Sequence, residues 1–287
     1  MNNEQNMQYG DDYKLIPATS IASGLGQLVL PDVYCHTIQV VNICLIGKDR
    51  DNFFLMDAGM PGSADDIISL TEERFGEGAK PKAILLTHGH FDHVGAIIEL
   101  IEHWQIPVFA HELEMPYLTG RTDYPTPDSS VEGGVIAKMS PLFPNEAINL
   151  GNRVERLPDN GSVPFMEGWK WIHTPGHTPG HVSFFREMDR TLVVGDAFVT
   201  VRQDSLYKVF TQELEISGPP RYLTIDWKAA KESVERLASL EPEVAVVGHG
   251  MPLTGRDLRE GLKKLVAEFD QVAVPDYGRF VDGSKGN

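Results

Sequence analysis

Cysteine is nearly missing from this chain, with Cys35 and Cys44 the only two in 287 residues. Both lie in apolar, strand-like sequence, where free cysteine behaves as a small buried hydrophobe, so neither a disulfide framework nor a thiolate metal site is expected. Positive charge is short too: 25 Lys and Arg stand against 41 Asp and Glu, for a net charge of −16. A field of that sign repels phosphate backbones and anionic surfaces, which sets aside nucleic acid and membrane as partners. Long apolar runs are also absent. No stretch reaches the roughly 18 to 20 residues that cross a bilayer, and the polar start Met1-Asn2-Asn3-Glu4-Gln5 lacks the basic and apolar parts of a secretory signal. The expectation is a cytoplasmic protein acting on a small molecule; a homo-oligomer is compatible with the sequence but not readable from it.

What the chain does have is core-forming sequence, with 41% hydrophobic residues and an order of elements that can be followed. From Lys14 to about Asp57, Val-, Ile- and Phe-rich runs broken by turns such as Gly47-Lys48-Asp49-Arg50-Asp51-Asn52 predict consecutive hairpin strands. Ser63 with Asp66 three residues on resembles a capping box, opening a helix that carries Ile67, Ile68 and Leu70. Ala83 to Thr87 reads as a buried strand, and Val94 to Trp104 as one helix that Pro107 cannot prolong. After a short strand near Val108, residues from Tyr117 to about Pro164 are rich in Pro, Gly, Asp and Asn and predict a long insertion. Strands follow at Trp169–Ile172, Val182–Phe185, Thr191–Val194 and Val244–Val247, with helices over Trp227–Leu240 and Thr254–Phe269. The order β-rich, βαβα, β-rich, αβα predicts a single α/β domain spanning 1–287, with a core from about 14 to 272 and an insertion at about 117–164.

Three histidines and an aspartate crowd into His88-Gly89-His90-Phe91-Asp92-His93, at the end of the apolar run Ala83–Leu86. Residues two apart share a face of a strand, so His88 and His90 can converge, while Asp92 and His93 open the next helix. Gly89 and Gly95 leave room for close approach. Desolvating four such side chains without a partner is costly, and neutral imidazole with carboxylate suits Zn²⁺, Fe²⁺ or Mn²⁺. Three further apolar strands also end in a residue that can bind a metal: Trp171-Ile172-His173 leading into Thr174–His181, Leu192–Asp196, and Val244–His249.

Taken in order, the HxHxDH run, the TPGHTPGH segment, Gly195-Asp196-Ala197 and the strand ending in Gly248-His249 resemble the motif set of the metallo-β-lactamase-fold hydrolases, over roughly Leu15 to Phe269. The resemblance is to the glyoxalase II-like and lactonase-like branch. True β-lactamases place other residues where Asp196 stands. It implies a four-layer αββα sandwich and two divalent metal ions per chain, zinc first, iron or manganese as alternatives. It implies that His88, His90 and His177 hold one ion, that Asp92, His93 and His249 hold the other, and that Asp196 bridges them. Asp57 aligns with an aspartate that supports the site from behind, and His181, four residues after the motif histidine, is a candidate for a similar supporting role. The chemistry implied is hydrolysis of a thioester, lactone or related acyl substrate by a metal-bridging hydroxide, with Asp92 as the catalytic carboxylate that orients the nucleophile and passes its proton on. Tyr117, Tyr124 and Arg202 are the candidate substrate-pocket residues, the first two on a possible lid with Arg121 and Phe143. Rival readings are a mononuclear iron oxidoreductase like the persulfide dioxygenases and, with less support, a metallo-nuclease.

Overall fold

A computed structural model describes residues 6–14, 19–132, 134–201, 210 and 214–281, with only the backbone described at 134–136. The hairpin region forms as read: β1 (Gly26–Leu30), β2 (Val33–Ile38), β3 (Val41–Asp49) and β4 (Asn52–Met56) pair antiparallel in chain order. Cys35 lies opposite Cys44 across β2 and β3, and both thiols are free and buried. The hydrogen bond that the Cys44 thiol donates to Cys35, and then burial, push its pKa well above the ordinary value, which keeps it protonated.

After Met56 the pairing becomes parallel. Helix α1 (Ala64–Phe75) leads to β5 (Ile84–Leu85), helices α2 (Phe91–Val94) and α3 (Ile97–Trp104) lead to β6 (Val108–Ala110), and α4 (Met115–Leu118) precedes β7 (Val154–Arg156). The seven strands form one sheet in the order β1 to β7. β5 and β6 have no exposed residue, as the continuous apolar character of parallel strands demands. Because β4, β5 and β6 run parallel, their C-terminal ends share an edge. Asp57, the loop 86–90 with the start of α2 and the turn after Ala110 therefore lie side by side, where strand-end residues of such sheets gather.

Two local expectations fail here. Ser63 is the residue before α1, but its hydroxyl donates to the carbonyl of Met60 at 2.7 Å and caps no helix amide, so the capping box with Asp66 does not form. The helix expected over 94–104 is broken at Gly95-Ala96. The amides of those two residues donate to the carbonyls of Gly59 and Ala58 at 2.8 and 3.1 Å, which takes them out of any helical ladder. A Cβ on Gly95 would stand 2.2 Å from the backbone nitrogen of Pro61, so the approach admits only glycine.

Chain contacts group residues 23–124 and 144–157, with the N-terminal segment, into one compact unit and residues 19–22, 125–143 and 158–287 into a second. The stretch 117–164 is thus shared between the two units and contributes β7 to the first sheet. In the second unit α5 (Gly134–Met139) precedes β8 (Trp169–His173), β9 (Val182–Arg186) and β10 (Thr191–Gly195). A two-stranded ladder follows, β11 (Val199–Val201) with β12 (Leu214–Ser217), then α6 (Trp227–Ser239), β13 (Val244–Val247), β14 (Leu253–Thr254), α7 (Gly255–Ala267) and α8 (Phe269–Val272).

The second sheet has the order β14-β13-β10-β9-β8. Asp226 starts α6 by accepting from the amide of Ala229 at 2.9 Å. Val234 and Leu237 of α6 and Leu258 and Leu262 of α7 pack with Val194, Phe198 and Ala245 in one core, each large aliphatic contributing about 1.5–3 kcal/mol by burial. β10 and β13 are parallel, and the β8–β9 hairpin returns to the same end, so residues 174–181, Asp196 and His249 share an edge. Among the described residues no helix is long and apolar enough to cross a membrane.

Candidate metal centre

Each unit carries a set of buried histidines and aspartates, side chains of the kind that bind metals. In the first unit His88, His90, Asp92 and His93 are buried at the strand-end edge. Strand alternation does not bring the first two together, because β5 ends at Leu85. The turn after it does, setting the His88 and His90 rings perpendicular with centroids 4.8 Å apart, and the His88 and His93 rings 4.2 Å apart.

Asp57 organises this set. Its carboxylate accepts from the Thr87 amide and the Thr87 hydroxyl, both at 2.8 Å, and from Nδ1 of His93 at 2.9 Å. Since the Thr87 hydroxyl gives its only proton to Asp57, its 3.0 Å contact with Nδ1 of His88 has the histidine donating. Both histidines are thereby held as Nδ1–H tautomers with the Nε2 lone pair turned to the other side. Asp57 sits in the left-handed region at φ 60°, a strained backbone for a non-glycine residue that is fixed by these bonds.

The middle residue of the turn is held as well. The Gly89 amide donates to Glu114 Oε2 and to the Tyr124 hydroxyl, each at 3.0 Å, and that hydroxyl donates to the same Glu114 oxygen. Burial, then the Glu114 carboxylate, push the Tyr124 phenol well above its ordinary pKa, so it remains a donor. Tyr117 stacks on Tyr124 at 3.9 Å. Glu114, Tyr124's hydroxyl role and Thr87 were not readable from the sequence. Glu114 lies in the turn beyond β6, four residues after Ala110, and no sequence signal sets it apart. Tyr13 is a further residue the sequence did not single out: burial, then Asp12 and Asp92, push its phenol well above the ordinary value.

In the second unit His177, Asp196 and His249 are buried together. Nε2 of His249 lies 3.2 Å, and Nε2 of His177 3.5 Å, from Oδ2 of Asp196. Nδ1 of His177 faces the Thr224 hydroxyl at 3.2 Å, and that hydroxyl donates to the carbonyl of Pro220 at 2.8 Å, so the imidazole donates at Nδ1. His181 faces inward differently. Its Nε2 accepts from the Asp196 amide at 2.9 Å and its Nδ1 contacts Thr174 Oγ1 at 2.8 Å, so both ring nitrogens are engaged in fixing the Asp196 backbone.

The donor chemistry fits a metal. With Nδ1 carrying the proton, Nε2 of His177 is an acceptor that faces another acceptor, Asp196 Oδ2, in a buried setting. In the first unit Nε2 of His93 faces Asp92 Oδ2 at 4.0 Å in the same manner. Two buried acceptors turned on each other are unfavourable until a cation lies between them.

The remaining candidates fall elsewhere. Tyr117 and Tyr124 come together beside His90, whereas Arg121 is exposed and Phe143 packs edge-on against Tyr222 in the second unit. Arg202 lies outside the described residues. Nε2 of His173 bonds the Pro179 carbonyl at 2.8 Å, His111 caps a turn through Leu113, His103 is exposed, and Arg259 is engaged by Glu243.

Known proteins with this pattern share its fold and family. The family model described as the metallo-beta-lactamase superfamily matches residues 36–249. A Bacillus subtilis protein named as a probable metallo-hydrolase, YflN, is 48% identical over 90% of this chain and 98% of its own length. A second from Bacillus subtilis, YybB, also named a probable metallo-hydrolase, is 31% identical over 71% of this chain and 78% of its own. Among solved structures, a B3 metallo-beta-lactamase, BLEG-1, superposes with a TM-score of 0.55 at 24% identity, covering 85% of this chain and 95% of that one. The coincidence of motif order, ligand geometry and these likenesses has one reading: the chain belongs to the metallo-beta-lactamase superfamily and is a metallo-hydrolase of that fold.

Proposed function

We propose that the two ligand sets serve one dinuclear centre, at which the protein hydrolyses an ester-like bond in a thioester, a lactone or a related acyl substrate. His88, His90 and His177 hold one divalent ion, Asp92, His93 and His249 the second, and Asp196 is shared. Zinc is the first expectation for both. The observation that carries this reading is the fixed Nδ1–H tautomer of His88, His93 and His177, which makes each Nε2 a lone-pair donor suited to a divalent metal. Supporting it from outside, a Haemophilus influenzae relative named hydroxyacylglutathione hydrolase, GloC, is 28% identical over 54% of this chain and 65% of its own.

A bound pair of divalent ions supplies water with its pKa lowered to about 7 and a Lewis acid for the carbonyl. The chain does the rest. Asp57, through Thr87 and directly, fixes the rings of two ligands, and His181 fixes the peptide that carries Asp196. Asp92 orients the attacking water, takes its proton and delivers it to the departing sulfur or oxygen. The acidic surface disfavours polyanionic substrates, in line with a small acyl compound.

Elemental analysis of protein purified without added metal, followed by a thioester and lactone screen, tests the proposal. Two metal equivalents per chain and turnover abolished by His88→Ala are expected. Turnover of such substrates no higher in the native protein than in His88→Ala overturns it. One iron with sulfur-dependent oxygen uptake replaces it by the dioxygenase reading.

A further inference from the structure

Gly89 is the peptide between two ligand histidines, and its amide is turned inward onto Glu114 and Tyr124. Glu114 has no exposed surface, and a carboxylate taken out of water is costly unless donors surround it. One of its oxygens receives both the Gly89 amide and the Tyr124 hydroxyl. The same tyrosine places its ring against that of His90, with centroids 4.6 Å apart and planes inclined by 54°, while Tyr117 stacks on it with planes inclined by 12°. The packing is tight enough that a Cβ on Gly89 would lie 2.6 Å from the Tyr124 oxygen and 3.0 Å from Leu118 Cδ2.

We propose that Glu114 and Tyr124 are positioning residues: they clamp the His88-Gly89-His90 turn so that both imidazoles are presented to the metal before it arrives. The inference rests on the reading of His88 and His90 as ligands. Neither residue touches substrate or reacting atoms in this role. Glu114 and the phenol hold the peptide direction through Gly89, and the phenol ring limits the rotation of His90. A Thr87–Asp57 support acts on the His88 ring, and this clamp acts on the peptide that follows it.

The arrangement separates ring from hydroxyl. Tyr124→Phe keeps both ring contacts and removes the hydroxyl that bonds Gly89 and Glu114. Glu114→Gln keeps an oxygen for the Gly89 amide, while Glu114→Ala removes it. The measurement is Zn²⁺ affinity by chelator competition, alongside the melting temperature of the metal-free chains and the visible absorption of the Co²⁺-loaded ones. Supporting groups of this kind change metal affinity by roughly 10–100-fold, and Tyr124→Phe and Glu114→Ala are expected in that range, with Glu114→Gln recovering part of the loss. The Co²⁺ absorption of Tyr124→Phe is expected to shift in position and intensity.

A role confined to folding would instead lower the metal-free melting temperature and leave Zn²⁺ affinity and the Co²⁺ spectrum alone, and that result overturns the clamp. Should Glu114→Ala not fold, Tyr124→Phe and Glu114→Gln decide the matter by themselves. Native protein that takes up no zinc removes the dinuclear reading and the clamp together. Native protein that binds zinc, beside folded variants that bind it within about twofold, removes the clamp only.

Discussion

His88, His90, Asp92 and His93 come from one turn of six residues, whereas His177, Asp196 and His249 come from three separate strand ends of the second sheet. The first set is held collectively. One carboxylate, Asp57, orients His93 directly and His88 through Thr87, and one amide, that of Gly89, is fixed by Glu114 and Tyr124. The second set is held singly, with Thr224 behind His177 and His181 behind Asp196. Clustering in sequence therefore goes with shared support, and dispersal goes with independent support. A change behind the first set should spread over several of its side chains, and one behind the second should stay with its own.

The sharpest way to break that contrast is Asp57→Ala. It leaves Thr87 and His93 without their buried acceptor and removes the bonds that fix a left-handed residue, so bound metal is expected to fall by more than about 100-fold. Metal retention on a desalting column checks this. Retention of near-native metal would show that the first set is not held collectively.

Gly95→Ala comes next. The added methyl meets the Met60–Pro61 backbone, and overpacking of that kind costs about 1–3 kcal/mol in denaturant unfolding, with metal content falling because α2 carries Asp92 and His93. An unchanged unfolding midpoint would mean that the backbone at 58–61 yields.

Thr224→Val and His181→Leu should have smaller and separable effects, near tenfold each on metal affinity, and roughly additive when combined because they support different ligands. Strong non-additivity in the double variant would erase the distinction between the two sets.

The smallest effects are in acid stability, and they too divide by unit. Burial lowers the pKa of His36 in the first unit, against the pull of Asp66 and Glu73. The unfolded chain then binds more protons below pH 6.5, so this contribution declines as pH falls through 6.5 and levels off beneath the lowered pKa. In the second unit burial raises Asp128, but bonds from the Ser130 hydroxyl and amide and from the Arg279 amide outweigh it and leave its pKa below 3.8. Its contribution is full above pH 3.8 and is lost as pH falls through the lowered value. Chemical unfolding from pH 7 to pH 3 should show two steps, the upper one flattened by His36→Gln. A single step unaffected by that change would contradict the assignment.

Much of the fold was legible because local patterns coincided with tertiary roles. Continuous apolar runs at Val108–Ala110 and Val244–Val247 mark parallel strands, and the amphipathic spacing of Trp227–Ser239 marks a helix with one buried face. Where a backbone amide found a partner far along the chain, the pattern misled. Gly95 and Ala96 look helical, yet the carbonyls of Gly59 and Ala58 claim their amides. Ser63 looks like a cap, yet the carbonyl of Met60 takes its hydroxyl. β11 and β14 went unread because neither is a continuous apolar run of the kind that marks Val108–Ala110: each carries a threonine.

By itself the amino-acid order determined which side chains can bind a metal and that each follows an apolar strand, because residue type and short-range periodicity are properties of neighbours. Only the tertiary structure decided which nitrogen of His88, His93 and His177 is bound from behind and which is left as a lone pair, and that Asp57, Thr87 and Thr224 enforce the choice. Those partners lie up to 47 residues away from the groups they orient, and hydrogen bonds at such separations leave no local trace in the sequence.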